Sequence, residues 1–519
     1  MSPLAENQKS RFAVVLGSSY GVSALVHLGL LVIASLLFYG APARVKEKVA
    51  AILPRFERKE PPFDRKRPPA LERKERVDHP KPDEVRLKPL DEEKPPTDRP
   101  RGEPEGATDK RLDLPAMPDD AFGVGHAGAG TPLGDRDGKV GLADGGGGPA
   151  TEEIVAGALF WLVRHQDRET GAWPAADFAR HCPDGVCRGP DFRDATGAGP
   201  GRGDARFDVG VTSLAVLAFL GNGHTHRHSP HPEFKRAVKM GLDYLKGRQR
   251  DDGSVGFDGG ETIYNHAIAT LALCEAYAIS RDFTLKKPAQ RAVDFSVAAQ
   301  NPGLGWKYGV KVGKNDTSVT GWFVLALKAA RIADLEVPDG AFRGALAWID
   351  RATAENGRVG YERAGDGGSQ IGRRSLPHPD RYPRFEALPT MTAVGVLCRM
   401  LAGEKRTDAR VQRGLDLLGG RLPAWSEGER SAVNLYYWYY ATYAVFQATT
   451  HGSPEWRRWN EAMQQALLPT VRRGGCEAGS WDPVDEWGIV GGRVYATALG
   501  ALTLEIYYRY RRAAEGTAR

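Results

Sequence analysis

From Gly157 onward one pattern keeps returning along the chain. Gly157 to Trp173 reads GALFWLVRHQDRETGAW, Gly241 to Phe257 reads GLDYLKGRQRDDGSVGF, and Ala292 to Trp306 reads AVDFSVAAQNPGLGW. Each copy has an aromatic residue, a Gln, a few polar residues, a Gly and a closing aromatic. Weaker copies run from Gly344 to Tyr361, Gly414 to Trp425 and Ala462 to Trp481, where the Gln of the frame is lost and the closing aromatic stays. A short unit repeated in this way cannot bury its apolar face alone, so the stacking of neighbours decides the fold.

The front half of each copy is an amphipathic helix. Phe234, Val238, Leu242 and Leu245 fall on one helical face, as do Trp456, Trp459, Met463 and Leu467. The Gln near the helix end can satisfy orphan carbonyls, the Gly can take the left-handed C-terminal cap, and the aromatic ring packs back over the turn. This frame is carried by Gln166, Gly171 and Trp173, by Gln249, and by Gln300 and Trp306. A second helix follows every copy: Val209 to Leu220, Ile263 to Ile279, Val319 to Ala330, Met391 to Leu401, Leu435 to Gln447 and Val494 to Tyr508. These are apolar nearly all round, which is the mark of a buried helix. Six amphipathic outer helices alternating with six buried inner ones describe an all-α protein, an α/α toroid of six helical hairpins over residues 151–511, with a tail at 512–519. Asp208, Asn265, Asp316 and Asn434 recur where inner helices begin and are expected to cap their N-termini.

The 62 Gly and 35 Pro are too many to be spread through one packed core, so part of the chain is linker, and it lies ahead of the repeats. After a short tail at 1–11, residues 12–40 form an expected transmembrane helix, with His27 the only strongly polar side chain between Phe12 and Tyr39. Ala41-Pro42-Ala43 is a poor cleavage site, so the segment is read as uncleaved. Ser23 lies one helical turn before His27, and the pair can face a partner helix or a proton path, or His27 can find water near the interface. Residues 41–122 form a charged stalk, with 15 prolines between 42 and 118, a composition that cannot fold. Partly extended, it reaches on the order of 200 Å. Residues 123–150 are expected to be a flexible hinge, with 11 glycines from Gly123 to Gly148. Lys9 and Arg11 precede the membrane segment while Arg44, Lys46, Lys48, Arg55, Arg58 and Lys59 follow it, a count that by itself keeps the toroid in the cytoplasm. The small net charge of +6 gives no footprint for nucleic acid.

The spacing of Gln166, Gly171 and Trp173 resembles the QW repeats of the terpene cyclase and protein prenyltransferase superfamily, squalene cyclases included, and the similarity runs over residues 151–511. The Ser23-x-x-x-His27 anchor followed by a proline-rich stalk resembles TonB-type energy transducers over about the first 100 residues. That second resemblance implies engagement of a proton-driven membrane motor and a toroid outside the inner membrane, against the positive-charge count. The first implies catalytic motifs, most of which are missing. Class II cyclases use an Asp-x-Asp-Asp acid, and no such run exists here. Asp251-Asp252 and the cluster of Asp482, Asp485 and Glu486 are the nearest acids, and solvated loop carboxylates are the simpler reading of them. Prenyltransferases hold zinc with Asp, Cys and His, and lanthionine cyclases with two Cys and His. Cys182 and Cys187, with His181 alongside, have ligand-like spacing, but outside the cytoplasm a loop disulfide is the simpler reading. Cys274 and Cys398 read as core thiols, and His224, His226, His228 and His231 as a weak metal loop at the opposite end from the Cys pair. Complement-like thioester domains need Cys-Gly-Glu-Gln, whereas Gly475-Cys476-Glu477-Ala478-Gly479 lacks the Gln.

Tyr436, Tyr439, Tyr440, Tyr443 and Tyr495 can line a central cavity for an apolar or cationic ligand, or pack the core. The resulting expectation is a membrane-anchored binding or scaffold protein without metal or cofactor, partnered by membrane proteins through its helix and by an unknown protein or apolar ligand at the toroid. The competing expectation is a divergent isoprenoid cyclase or transferase with Asp482, Asp485 or Glu486 as acid.

Overall fold

The computed structural model describes Arg136, Lys139 and residues 141–183, 201–367, 388–426 and 433–509. The expected tails at 1–11 and 512–519, the membrane helix with Ser23 and His27, the stalk and Cys187 lie outside the described residues. Among the described residues no helix is long and apolar enough to cross a membrane. Their secondary structure is helical without strands, apart from isolated β-bridges in the turns such as Gln249 with Val255 and Trp306 with Asp316.

Among the described residues, six hairpin pairs follow in chain order. The amphipathic helices are α1 (Pro149–Arg164), α3 (Pro232–Gly247), α5 (Phe283–Ala299), α7 (Asp339–Ala352), α9 (Ala409–Gly419) and α11 (Pro454–Leu467). The apolar helices between them are α2 (Asp208–Gly221), α4 (Ile263–Ser280), α6 (Thr317–Ile332), α8 (Thr390–Leu401), α10 (Leu435–Ala448) and α12 (Gly488–Leu504), with a short α13 (Ile506–Arg509) at the end. Burial follows the sequence pattern. α3 buries the stripe Phe234, Ala237, Val238, Gly241, Leu242 and Leu245, whereas every residue of α10 is buried. Proline at the first position of α1, α3 and α11 removes an amide that would have had no partner there.

The apolar helices make the inner wall. Each packs on the next, α2 on α4, α4 on α6, α6 on α8, α8 on α10 and α10 on α12, and α12 returns to α2. Each outer helix leans on the inner helix that precedes it, and α1 closes the circle by packing on α12.

The repeat frame has a more specific job than capping. Gln166 Nε2 donates to Gly171 O (2.9 Å) and to Ala237 O of α3 (3.0 Å). Gln249 does the same toward Gly253 O and Pro288 O of α5, and Gln300 toward Leu304 O and Ala341 O of α7. The expectation that Gln serves the end of its own helix is corrected: it joins its turn to the next outer helix. The orphan carbonyls go to the closing Trp instead. The indole N–H donates to Leu162 O from Trp173 (2.7 Å), to Ser296 O from Trp306 (2.7 Å) and to Leu467 O from Trp481 (3.0 Å). The backbone amide of the closing residue donates to the next inner helix, Trp173 to Thr212 Oγ1, Trp306 to Thr320 Oγ1 and Val359 to Thr392 Oγ1, while Val255 donates to His266 Nδ1. In the second and fourth copies the closing position is therefore Val255 and Val359, not Phe257 and Tyr361.

Of the four expected caps, Asp316 and Asn434 accept from Val319 N and Tyr437 N as helix N-caps do. Asp208 and Asn265 do not cap their own helices. Asp208 accepts from Ala175 N (2.8 Å), and Asn265 bridges to α2 by accepting from Gly210 N (3.0 Å) and donating to Arg206 O and Gly256 O. Both lie inside the first turn, where the side chain points to the neighbouring element.

The ring closes where the sixth turn meets the first outer helix. Gly479 has φ +95°, and a Cβ there would run into the carbonyl oxygen of Gly157 in α1. Gly479→Ala is expected to cost about 2 kcal/mol or more, from backbone strain plus displacement of α1. Urea unfolding of the variant beside wild type measures it.

The expected hinge needs correction at its C-terminal end. Gly145 O accepts from Trp456 Nε1 (2.7 Å), Gly146 O accepts from Asn460 Nδ2 and Gln464 Nε2, and Arg136 is fully buried. The glycines carry no apolar signal, but their bare carbonyls can approach the side chains of α11 closely.

Candidate functional site

A cavity of ≈ 290 Å³ opens at the end of the ring where the inner helices begin. The first two turns of the inner helices supply its wall: Gly210, Val211 and Leu214 of α2, Tyr264, Asn265 and Ile268 of α4, Ser318 and Trp322 of α6, Tyr436 of α10, and Ile489 to Gly491 and Tyr495 of α12. Asp204, Arg206, Phe207, Glu261, Tyr308 and Trp487 complete it from the loops. α12 is broken here at Gly492 (φ +64°), which lets Val490 O accept from Asp204 N (2.8 Å) and Arg493 N reach Gly201 O (2.9 Å), so the loop before α2 seats on the break.

Hydroxyls run along the wall. Tyr264 Oη donates to Ser318 Oγ (2.9 Å), and Ser318 Oγ shares a hydrogen bond with Tyr436 Oη (2.8 Å). Tyr308 hydrogen-bonds Tyr361, whose hydroxyl donates to Asp316 Oδ2 (3.4 Å). Tyr495 Oη donates to Asp485 Oδ2 (3.2 Å), which also accepts from Leu435 N (3.0 Å). Burial pushes the carboxyls of Asp316 and Asp485 up to about 7.

The three acids proposed for chemistry are not solvated. Asp482 is buried between Arg472 (2.5 Å) and Arg493, and Glu486 accepts from Asn434 Nδ2 (2.8 Å). Asp485 is fully buried, with Oδ1 lacking a hydrogen-bond partner, and stands one hydrogen bond behind the cavity wall. The tyrosines divide. Tyr436 and Tyr495 line the cavity, whereas Tyr439, Tyr440 and Tyr443 are core side chains, the first stacked on Trp322 at 5.9 Å and the second edge-on to it at 5.3 Å. Trp322, Trp487, Tyr264 and Tyr308 escape sequence reasoning. Positions in the first two turns of α4 and α6 were the available signal, outweighed by the dense aromatic run of α10.

Asp485 has a sign-definite effect on stability. Its folded pKa lies above that of an unfolded Asp, so the folded state holds the proton more tightly. Its contribution is full below about pH 4 and is lost as pH rises to about 7. Asp485→Asn should therefore flatten the wild-type fall in stability between those values, a difference read from urea midpoints at a series of pH values.

Cys182, Cys274, Cys398 and Cys476 are buried, and burial pushes the Cys398 thiol up to about 12. His226 pairs with Asp282 (2.8 Å), His224 with Ser229 (3.2 Å), and His231 packs on Phe160 and Phe234. Asp251 and Asp252 are exposed. Among the described residues no group of three or more His, Cys, Asp or Glu is placed to hold a metal ion.

No protein-family model matches the sequence and no curated protein is detectably similar to it. Similar solved structures include the type II terpene cyclase MstE from Scytonema, 13% identical with a TM-score of 0.43 over 69% of this chain and 97% of that one. An inactive variant of an alpha-1,6-mannanase of Salegentibacter sp., in complex with alpha-1,6-mannotriose, is 11% identical with a TM-score of 0.46 over 69% of this chain and 99% of its own. Helical rings host unlike activities, so what this chain does has to be argued from its own mouth residues.

Proposed function

We propose that the chain is a tethered binding protein, holding a small, largely apolar ligand in the aromatic mouth of its toroid. One contrast carries this reading: the aromatic side chains of Trp322, Tyr436, Trp487 and Tyr495 line the cavity, while Asp482 and Glu486 are engaged in buried pairs. A volume of ≈ 290 Å³ is at the small end of ligand pockets and suits a compact molecule. In this reading residues 12–40 anchor the chain in the inner membrane, Ser23 and His27 engage a proton-driven membrane partner, and the stalk carries the toroid outside that membrane. Native mass spectrometry of the purified full chain should find a small molecule that Trp322→Ala releases. For location, a thiol engineered into the glycine-rich stretch should react in intact cells with an impermeant reagent that enters the periplasm. Protection from that reagent would put the toroid in the cytoplasm.

One observation favours an enzyme instead. Asp485 is a buried carboxyl with a free oxygen and a tyrosine relay to the cavity, an arrangement suited to proton delivery. Incubation with geranylgeranyl diphosphate separates the two. Conversion to new products that Asp485→Asn abolishes would replace the binding reading with a divergent isoprenoid cyclase or transferase.

A further inference from the structure

We infer that the ligand of the mouth cavity carries an organic ammonium head, a nitrogen bearing alkyl groups, held against the rings of Trp322, Tyr436 and Trp487. This deepens the binding reading above and rests on it.

The first argument is the shape of the wall. Trp322 and Tyr436 stand 6.4 Å apart at 40°, and Tyr436 and Trp487 6.2 Å apart at 65°, so three non-parallel rings in mutual contact line one side of the cavity. Aromatic faces attract cations through their quadrupole, indole most strongly, and the gain rises where water is excluded. An alkylated nitrogen spreads its charge over apolar groups and needs few or no acceptors, which suits a wall of rings and aliphatic side chains.

The second argument is charge. Asp204 and Glu261 stand in the lining, and Arg206, the one basic side chain among the described lining residues, is forked onto Asp204 at 2.9 and 2.6 Å. Two lining tyrosines lead to buried carboxylates, Tyr495 to Asp485 and Tyr308 through Tyr361 to Asp316. Burial holds both carboxyls near pH 7, and an entering cation would favour their ionised form. Helix N-termini alone would favour an anion, but four of the amides here are already taken. Gly210 N donates to Asn265, Val319 N to Asp316, Leu435 N to Asp485 and Tyr437 N to Asn434.

The test is calorimetric titration of the full chain with choline and with 3,3-dimethylbutan-1-ol, which has the same shape without the charge. Choline should bind at least about tenfold more tightly. Trp487→Leu keeps apolar bulk and should reduce that preference to about twofold or less, while Tyr436→Phe keeps the ring and should preserve it, thermal melts confirming that both variants fold. Glycerophosphocholine in a third titration distinguishes the source, tighter binding than choline assigning a phosphocholine headgroup and weaker binding a free ammonium solute. Equal or tighter binding of the neutral alcohol overturns the ammonium head and leaves the cavity reading standing. A preference untouched by Trp487→Leu, or lost in Tyr436→Phe, also overturns it. If neither choline nor the alcohol binds, the ammonium inference falls together with the binding reading for compact ligands.

Discussion

Replacing Asp482 with Ala is expected to destabilise the toroid by about 3–5 kcal/mol, the range for removing one partner of a buried ion pair. Its carboxylate lies between two guanidiniums, Arg472 at 2.5 Å and the fully buried Arg493. Arg493 also donates to Ser480 Oγ (2.9 Å), tying α12 to the sixth turn. Without Asp482 a guanidinium would remain in the interior with its main counter-charge gone. Burial already lowers the proton affinity of Arg493, and Asp482 is the principal influence that restores it. Urea unfolding measures the loss. A variant as stable as wild type but defective in turnover would show that Asp482 is an acid for chemistry and not a structural counter-ion.

Glu275→Ala should cost a similar amount, about 3–5 kcal/mol, at the opposite end of the inner helices. Glu275 in α4 accepts from Arg136 Nη1 (2.9 Å) and Arg509 Nη2 (3.0 Å), and all three side chains are buried. Arg136 adds a bond to Leu220 O (3.1 Å), so a residue ahead of the first helix, the second inner helix and α13 meet on one carboxylate. The loss should come with faster hydrogen exchange over residues 141–148, because the arginine holding that segment at its start is no longer paired. Burial pushes the Glu275 carboxyl up, but Arg509 and Arg136 outweigh it and hold the group below its ordinary range. Its stabilising contribution is therefore present above the pKa of an unfolded Glu and fades as pH falls through the lower folded value. Glu275→Gln should remove that acid-sensitive part of the stability curve. An unchanged acid limb would show that the two guanidiniums do not control Glu275.

Some of this was written along the chain. Helical spacing in α3 and α11 and the unbroken apolar runs of α2 and α10 are local properties, and burial in the ring follows them because water penalises apolar surface wherever it occurs. The Gln of the first three copies and the closing aromatic of all six likewise marked the turns and the hairpins they join. Capping was legible where the side chain sits just ahead of its helix, as at Asp316 and Asn434, because that bond spans three residues.

What the sequence alone determined, then, is the alternation of one-faced and all-apolar helices, and with it a closed helical ring. Only the tertiary structure decided which polar groups meet. Gln166 reaches Ala237, Glu275 gathers Arg136 and Arg509 from near the two ends of the described chain, and Asp482, Asp485 and Glu486 turn inward from what reads as a polar loop. Trp322, Tyr436 and Trp487 come from three separate repeats and share a wall only because the ring brings the starts of their inner helices together. Hydrophobic burial is roughly proportional to area and can be read from periodicity. Hydrogen bonds and ion pairs depend on direction and distance between residues far apart in the chain, and those are set only once the ring has closed.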